Sequence, residues 1–346
     1  MRELKYREAI DEATRQAMAK DERIFVMGVG VDDPKGIFGT TRGAFEQFGS
    51  SRVFDTPLSE AALTGVGVGA AMRGFHPLLV HARNDFLLLT MDQIVNNAAK
   101  WRYMSGGKLK VPLTIRAIIG RGWGQAAQHS QSLQAMFAHV PGLSVIMPTS
   151  PADAKGLLMT ALSSDSPVVC LEHRWLYDKS GPVPEDPYYT PFGVGSVVRP
   201  GRDVTIVAVS HMVLEALRAA EALATEGIEA EVIDPRTFRP LDSGRICRSA
   251  ARTGRLVIVD TGWRSYGVSA EIAARAAEEL WGVLKAPIKR VALPDVPTPG
   301  SSVLESAYYP GPREIVAAVR QCLEAPTGAV VTDAGPGNRK EFEGPF

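Results

Sequence analysis

The chain has 346 residues, 45% hydrophobic and 22% charged, which is enough for two soluble domains with substantial cores. Its 38 basic and 38 acidic side chains cancel, so nothing global directs it to nucleic acid or to an anionic membrane surface. Cys170, Cys247 and Cys322 are too widely spaced for a disulfide framework or a zinc knuckle, and neither an apolar leader nor a membrane-length apolar run is found, so a cytoplasmic protein is expected.

Residues 5–19 carry apolar positions at helical spacing, and Ile24-Phe25-Val26-Met27 is a short buried-type strand ending in Gly28. The stretch 36–49 reads as a loop with a short helix at 43–48, and Ala61 to Met72 is a small-residue helical run with Gly65, Gly67 and Gly69. A strand at 78–80, a long helix over 86–103 and a strand at 113–116 follow. Next come a strand at 143–147, a helix at 152–163 and a strand at 168–171. Around 178–202 prolines replace aliphatic runs, which predicts a linker over 181–202. Beyond it, strands at 203–209, 230–234, 255–259 and 288–293 alternate with helices at 211–226, 242–253, 268–280 and 312–324. The fold class expected is therefore α/β, with two doubly wound, mostly parallel-sheet domains over 1–180 and 203–325 and a Gly/Pro-rich flexible tail over 326–346.

Several residues stand out chemically. Glu60 opens the small-residue helix, where a glutamate is either a partner of the helix dipole or an acid pressed against a flat ligand. His129 lies in Ala126-Ala127-Gln128-His129-Ser130-Gln131, just after the glycine-rich Gly120-Arg121-Gly122-Trp123-Gly124. Displayed there, an imidazole can bind a carboxylate or carbonyl or shuttle a proton; as a bland alternative it caps the loop. Phe86, at the start of the helix expected over 86–103, reads as ordinary core filling. The run Gly65-x-Gly67-x-x-Ala70 matches a dinucleotide fingerprint only superficially, because it lies inside a helix, and helix packing explains it better.

Asp55-Thr56-Pro57-Leu58-Ser59-Glu60, Met91-Asp92-Gln93-Ile94-Val95-Asn96-Asn97-Ala98-Ala99-Lys100 and the His129 block, in this order and spacing, closely resemble the β subunit of the thiamine-diphosphate-dependent decarboxylase component of 2-oxo acid dehydrogenases. The resemblance runs from about Tyr6 to about Leu323. It implies a transketolase-like pyrimidine-binding domain followed by a transketolase C-terminal domain. It also implies that Glu60 hydrogen-bonds a ring nitrogen of the cofactor's aminopyrimidine, promoting the imino tautomer that takes the thiazolium proton. Phe86 would pack on that ring, and His129 would be the active-site histidine. Diphosphate and Mg2+ in this superfamily are held at a Gly-Asp-Gly motif, which this sequence lacks, so an α subunit would supply them. The implied assembly is an α2β2 heterotetramer serving a lipoyl acyltransferase core, with decarboxylation of a 2-oxo acid and transfer of the acyl unit to lipoyl. A potassium ion would sit on the backbone carbonyls of Leu113, Ala161, Leu162, Ser164 and Ser166, although many relatives carry Asp where this chain has Ser164.

The chain departs from the pattern just before Phe86. Most relatives have an acidic-aromatic segment with two phenylalanines there, whereas this sequence reads Val80-His81-Ala82-Arg83-Asn84-Asp85. His81 and Arg83 are candidate substrate residues for a polar or anionic group; alternatively the segment faces the partner subunit. Two further readings therefore stand beside the first: a split transketolase or acyloin-forming C–C ligase acting on a sugar-like substrate, and a non-catalytic assembly subunit.

Overall fold

Runs of Val, Ile and Leu with no polar face are strands buried on both sides, and they form the frame of this chain. The structure, a computed structural model, describes residues 2–33, 35–120 and 124–323. These fall into two compact units, residues 2–120 with 136–192, and residues 124–135 with 193–323. The Arg121-Gly122-Trp123 stretch and the expected tail at 326–346 lie outside the described residues. Among the described residues no helix is long and apolar enough to cross a membrane.

The first unit begins with β1 (Arg2–Lys5), α1 (Tyr6–Lys20), β2 (Ile24–Gly28), α2 (Arg42–Phe48), β3 (Val53–Phe54) and α3 (Glu60–Met72). It continues with β4 (His76–His81), α4 (Ala99–Met104), β5 (Thr114–Ile119), the last three residues of α5 (Gln134–Ala138), β6 (Ser144–Ile146), α6 (Pro151–Ala161), β7 (Val168–His173) and β8 (Ser180–Val183). Strands β6, β7, β5, β4, β2 and β3 lie side by side in that order, all parallel. All six residues of β4, of β5 and of β7 are buried. Register places His81 opposite Ala117 and Ile119 opposite His173, so the carboxyl ends of β4, β5 and β7 finish together. α6 starts cleanly because Pro151 occupies its first position and the Ser150 side chain accepts from the Asp153 N–H at 3.0 Å.

A fork beneath the strand ends ties two of them together. Arg116 on β5 donates to both carboxylate oxygens of Glu172 on β7, at 2.5 and 2.9 Å, and to the Thr40 hydroxyl at 2.9 Å. The Tyr177 hydroxyl donates to the same carboxylate at 2.8 Å. Both charged side chains are 1% exposed. Burial opposes the Arg116 charge, but the carboxylate and its hydrogen bonds more than offset that, and the guanidinium is held above its ordinary range.

The second unit contains β9 (Ser196–Arg199), β10 (Val204–Ala208), α7 (Met212–Ala224), β11 (Ala230–Asp234), β12 (Thr237–Arg239) and α8 (Ser243–Thr253). It ends with β13 (Leu256–Trp263), α9 (Val268–Glu279), β14 (Lys289–Leu293), α10 (Ser302–Tyr308) and α11 (Pro312–Leu323). The sheet order is β14-β13-β10-β11-β9, parallel except for β9. Val204, Ile206, Val232, Val257 and Val259 meet Val213 and Leu223 of α7 and Ile315 and Val319 of α11 in one buried core.

Two expectations need correction. Residues 86–103 are not one α-helix: 84–90 form a 3-10 helix, 92–98 a π-helix, and only 99–104 are α-helical. The Asn97 side-chain amide donates to the Asp92 carbonyl at 3.2 Å, a local bond that accompanies the wider turn. Nor is the stretch 181–202 plain linker, since it carries most of β8 and all of β9. Pro182 is tolerated in β8 because that strand pairs only with β1, as a two-stranded ribbon.

Candidate active site

α3 is an unusual helix. Glu60 is its first residue and half-buried, and the face carrying Ala61, Ala62, Val66 and Gly69 is exposed. Its opposite side packs on the 3-10 and π segments over 84–98. There Gly65 faces Gln93 and Gly67 faces Leu113, so helix packing explains the glycine run and the dinucleotide reading falls away. Phe86, on the adjoining 3-10 helix, is also half-buried. Glu60 and Phe86 thus lie on two elements that pack together, each with part of its side chain accessible. In the loop before α3, Asp55 accepts from the Gly30 N–H at 2.6 Å, and the buried Thr56 hydroxyl has no hydrogen-bond partner among the described residues. An accessible acid, an accessible ring and an orphaned hydroxyl fit a flat, polar heteroaromatic group laid against the start of α3.

His81 and Arg83 follow at the carboxyl end of β4. Both are buried, at 7% and 6% exposure. The Arg83 guanidinium donates to the Gly120 carbonyl at 2.8 Å. Burial pulls the His81 imidazole down to about 4, so the ring is neutral at neutral pH. Gly120 is required where it stands: its φ is +93°, and a Cβ there would come 2.8 Å from the His173 ring. Sequence reasoning missed His173 and Arg174, which close β7 at this level and are 5% and 3% exposed. The Arg174 guanidinium lies over the Phe38 ring, 5.4 Å from its centroid. Burial pulls its pKa down to about 9, assisted by the nearby Arg83 charge.

His129 belongs to the second unit and is half-buried in a turn. Ala126, three residues before it, takes the left-handed φ of 53°, uncommon for an alanine. The turn is anchored by a residue the sequence did not signal. Asp260, fully buried near the end of β13, accepts from the Gln134 side chain at 2.9 Å, from the Gly262 N–H at 3.0 Å and from the Ser269 N–H at 3.0 Å. Burial pushes this carboxyl up, against the pull of those donors. Asp260 therefore fixes the loop containing His129 to the start of α9.

The five carbonyl positions considered for potassium lie in the first unit. Leu113 O accepts from Val168 N–H at 2.9 Å, Ala161 O from Ser164 N–H at 3.1 Å, and Ser166 O from the Ser164 hydroxyl at 3.0 Å. Leu162 ends α6, where free carbonyls and the helix dipole favour a cation. Each accepting carbonyl keeps a second lone pair, so the donor set fits an oxygen-liganded ion. One feature works against it: Arg102 already brings a guanidinium to the Ser166 hydroxyl at 2.5 Å.

Residues 2–179 match the family Transketolase, pyrimidine binding domain, and residues 193–315 match Transketolase, C-terminal domain. The chain is 43% identical over 333 residues to the acetoin:2,6-dichlorophenolindophenol oxidoreductase subunit beta of Cupriavidus necator, covering 93% of this chain and 98% of that one. It is 43% identical to the mitochondrial pyruvate dehydrogenase E1 component subunit beta-1 of Arabidopsis thaliana, covering 94% and 91%. To the 2-oxoisovalerate dehydrogenase subunit beta of Bacillus subtilis it is 41% identical, covering 93% and 99%. A solved structure described as a split gene transketolase, inactive beta4 tetramer, matches with a TM-score of 0.72 at 27% identity, covering 92% of this chain and 98% of that one.

Proposed function

This chain belongs to the transketolase-like family, among the β subunits of thiamine-diphosphate-dependent 2-oxo acid dehydrogenases, and we propose that it is the pyrimidine-binding half of a two-component enzyme that decarboxylates a 2-oxo acid and passes the acyl unit to lipoyl. The observation that carries this reading is the pairing of Glu60 with Phe86 on two packed elements. Thiamine diphosphate, when bound, supplies the nucleophilic carbon and the electron sink. Glu60 would hold a proton at the pyrimidine ring nitrogen, and Phe86 would pack against the ring and exclude water. His129 donates a hydrogen bond to the substrate carboxylate or carbonyl, and Asp260 keeps its loop in place through Gln134. An α subunit would hold diphosphate and Mg2+ in an α2β2 assembly that docks on a lipoyl acyltransferase core, and the carbonyls of Leu113, Ala161, Leu162, Ser164 and Ser166 would hold a potassium ion. Three free, buried cysteines agree with a reducing, cytoplasmic setting.

A second reading, C–C bond ligation on a polar, sugar-like substrate, is favoured by one observation: His81 and Arg83 are buried at the carboxyl end of β4. The test separates the two. The purified α/β pair is assayed with neutral 2-oxo acids and a lipoyl acceptor, and with ketose phosphates and an aldehyde acceptor. Turnover of the first set supports the dehydrogenase reading, and turnover of the second alone replaces it. Silence toward both leaves the assembly-subunit reading. Calorimetry adds a binding readout: the isolated chain should bind thiamine diphosphate negligibly, with affinity appearing only in the complex. Tight magnesium-dependent binding to the isolated chain would sink the split-enzyme reading.

A further inference from the structure

The turn that follows α9 exposes an aromatic ring. Leu280 caps the helix end, Gly282 takes the left-handed φ of 76°, and the Val283 N–H donates to the Leu280 carbonyl at 2.9 Å. This tight turn throws Trp281 outward, and the residue is 91% exposed. Beside it runs a groove of about 580 Å³ lined by Leu280, Leu284, Pro287 and Ile288. Lys285 is the one charged residue among the described residues that line it. An exposed indole on the rim of an apolar groove marks a surface that a further apolar group covers.

The end of α11 lies against the same loop. The Cys322 thiol approaches the Pro287 carbonyl to 3.8 Å, so the chain leaves Leu323 beside one end of the groove. Residues 324–346 follow, outside the described residues, and their first apolar run is Ala329-Val330-Val331, with Asp333 two positions beyond it. We propose that this run docks in the Trp281 groove of its own chain, with Val330 and Val331 against the indole and Asp333 paired with Lys285. Seven residues separate Leu323 from Val330, a reach of up to about 25 Å. The signs match as well, since the acidic residue nearest the apolar run meets the single cation of the groove. A short tether supplies an effective concentration on the order of 1 mM, so a contact whose free Kd is about 0.1 mM keeps the groove about 90% covered. A second copy or a separate protein has to displace a ligand that is already attached.

Trp281 itself reports the contact in the full chain. Acrylamide should quench it less there than in a chain stopped after Ala325, whose emission should also shift to the red. That difference should vanish when both chains carry Trp281→Phe. Val330→Asp with Val331→Asp should reproduce the effect of truncation while the segment stays in place. A peptide of residues 326–336 should restore the shielding of the truncated chain with a Kd of about 0.1 mM. Equal quenching of the full and truncated chains, a valine double variant indistinguishable from the wild type, or a peptide without effect overturns the proposal. So does shielding that grows with protein concentration, which would give the groove to a second copy, and so does shielding that appears only on adding the α subunit.

Discussion

Glu60→Gln should leave the α/β complex assembled and cut turnover by about 100- to 10,000-fold, the usual cost of losing a positioned acid–base group. Glutamine has nearly the same shape and can still touch a ring nitrogen, but it cannot exchange a proton with it. Glu60 begins α3 and is half-buried, so the swap removes no core packing. Size-exclusion chromatography and circular dichroism should therefore match the wild type, while steady-state turnover collapses. Normal turnover in the variant complex would mean that Glu60 only stabilises the amino-terminal turn of α3, a role worth about 0.3–1 kcal/mol.

The second large effect concerns stability. Arg116→Met should destabilise the first unit by about 3–5 kcal/mol, because it strands the Glu172 carboxylate in the interior. Glu172 would keep the Tyr177 hydroxyl at 2.8 Å and lose both of its charge-assisted bonds to Arg116. Chemical denaturation of the chain followed by fluorescence measures the loss. The informative control is the double variant Arg116→Met/Glu172→Gln, which removes both charges and should recover much of the stability. If the single and double variants are equally destabilised, the fork acts through packing rather than charge.

Elements set by local sequence were readable from it. Glu60 stands directly before a run of small residues that does form α3, and β10, β11 and β13 are short runs rich in Val and Ile, so helix and strands follow from neighbours in the chain. What stayed hidden depends on register. Arg83, Gly120 and Arg174 are brought together by where β4, β5 and β7 end, and no local pattern links them. Asp260 and Gln134 meet across 126 positions for the same reason. The helix expected over 86–103 has good apolar spacing, but that spacing does not distinguish an α-helix from the 3-10 and π segments that fill most of it. Prolines at 178–202 marked a change of composition correctly, yet in a two-stranded ribbon a proline is compatible with a strand.

The glycines of α3 have a cost that falls on the subunit and a benefit that falls elsewhere. In a helix interior each costs about 0.8–1 kcal/mol relative to alanine. A methyl group at Gly65 or Gly67 would meet Gln93 or Leu113 at ordinary contact distance, and one at Gly69 would meet nothing within 4 Å. Stabilisation of the isolated polypeptide is thus one substitution away: Gly69→Ala should raise its unfolding free energy by about 0.4–1 kcal/mol, read as a higher thermal midpoint. The same methyl group projects from the exposed face of the helix; if that face meets the α subunit, the subunit dissociation constant should rise as the subunit itself becomes more robust. Opposite movement of those two quantities would identify the thermodynamic unit under selection as the assembled enzyme, with each polypeptide left softer than its own packing requires.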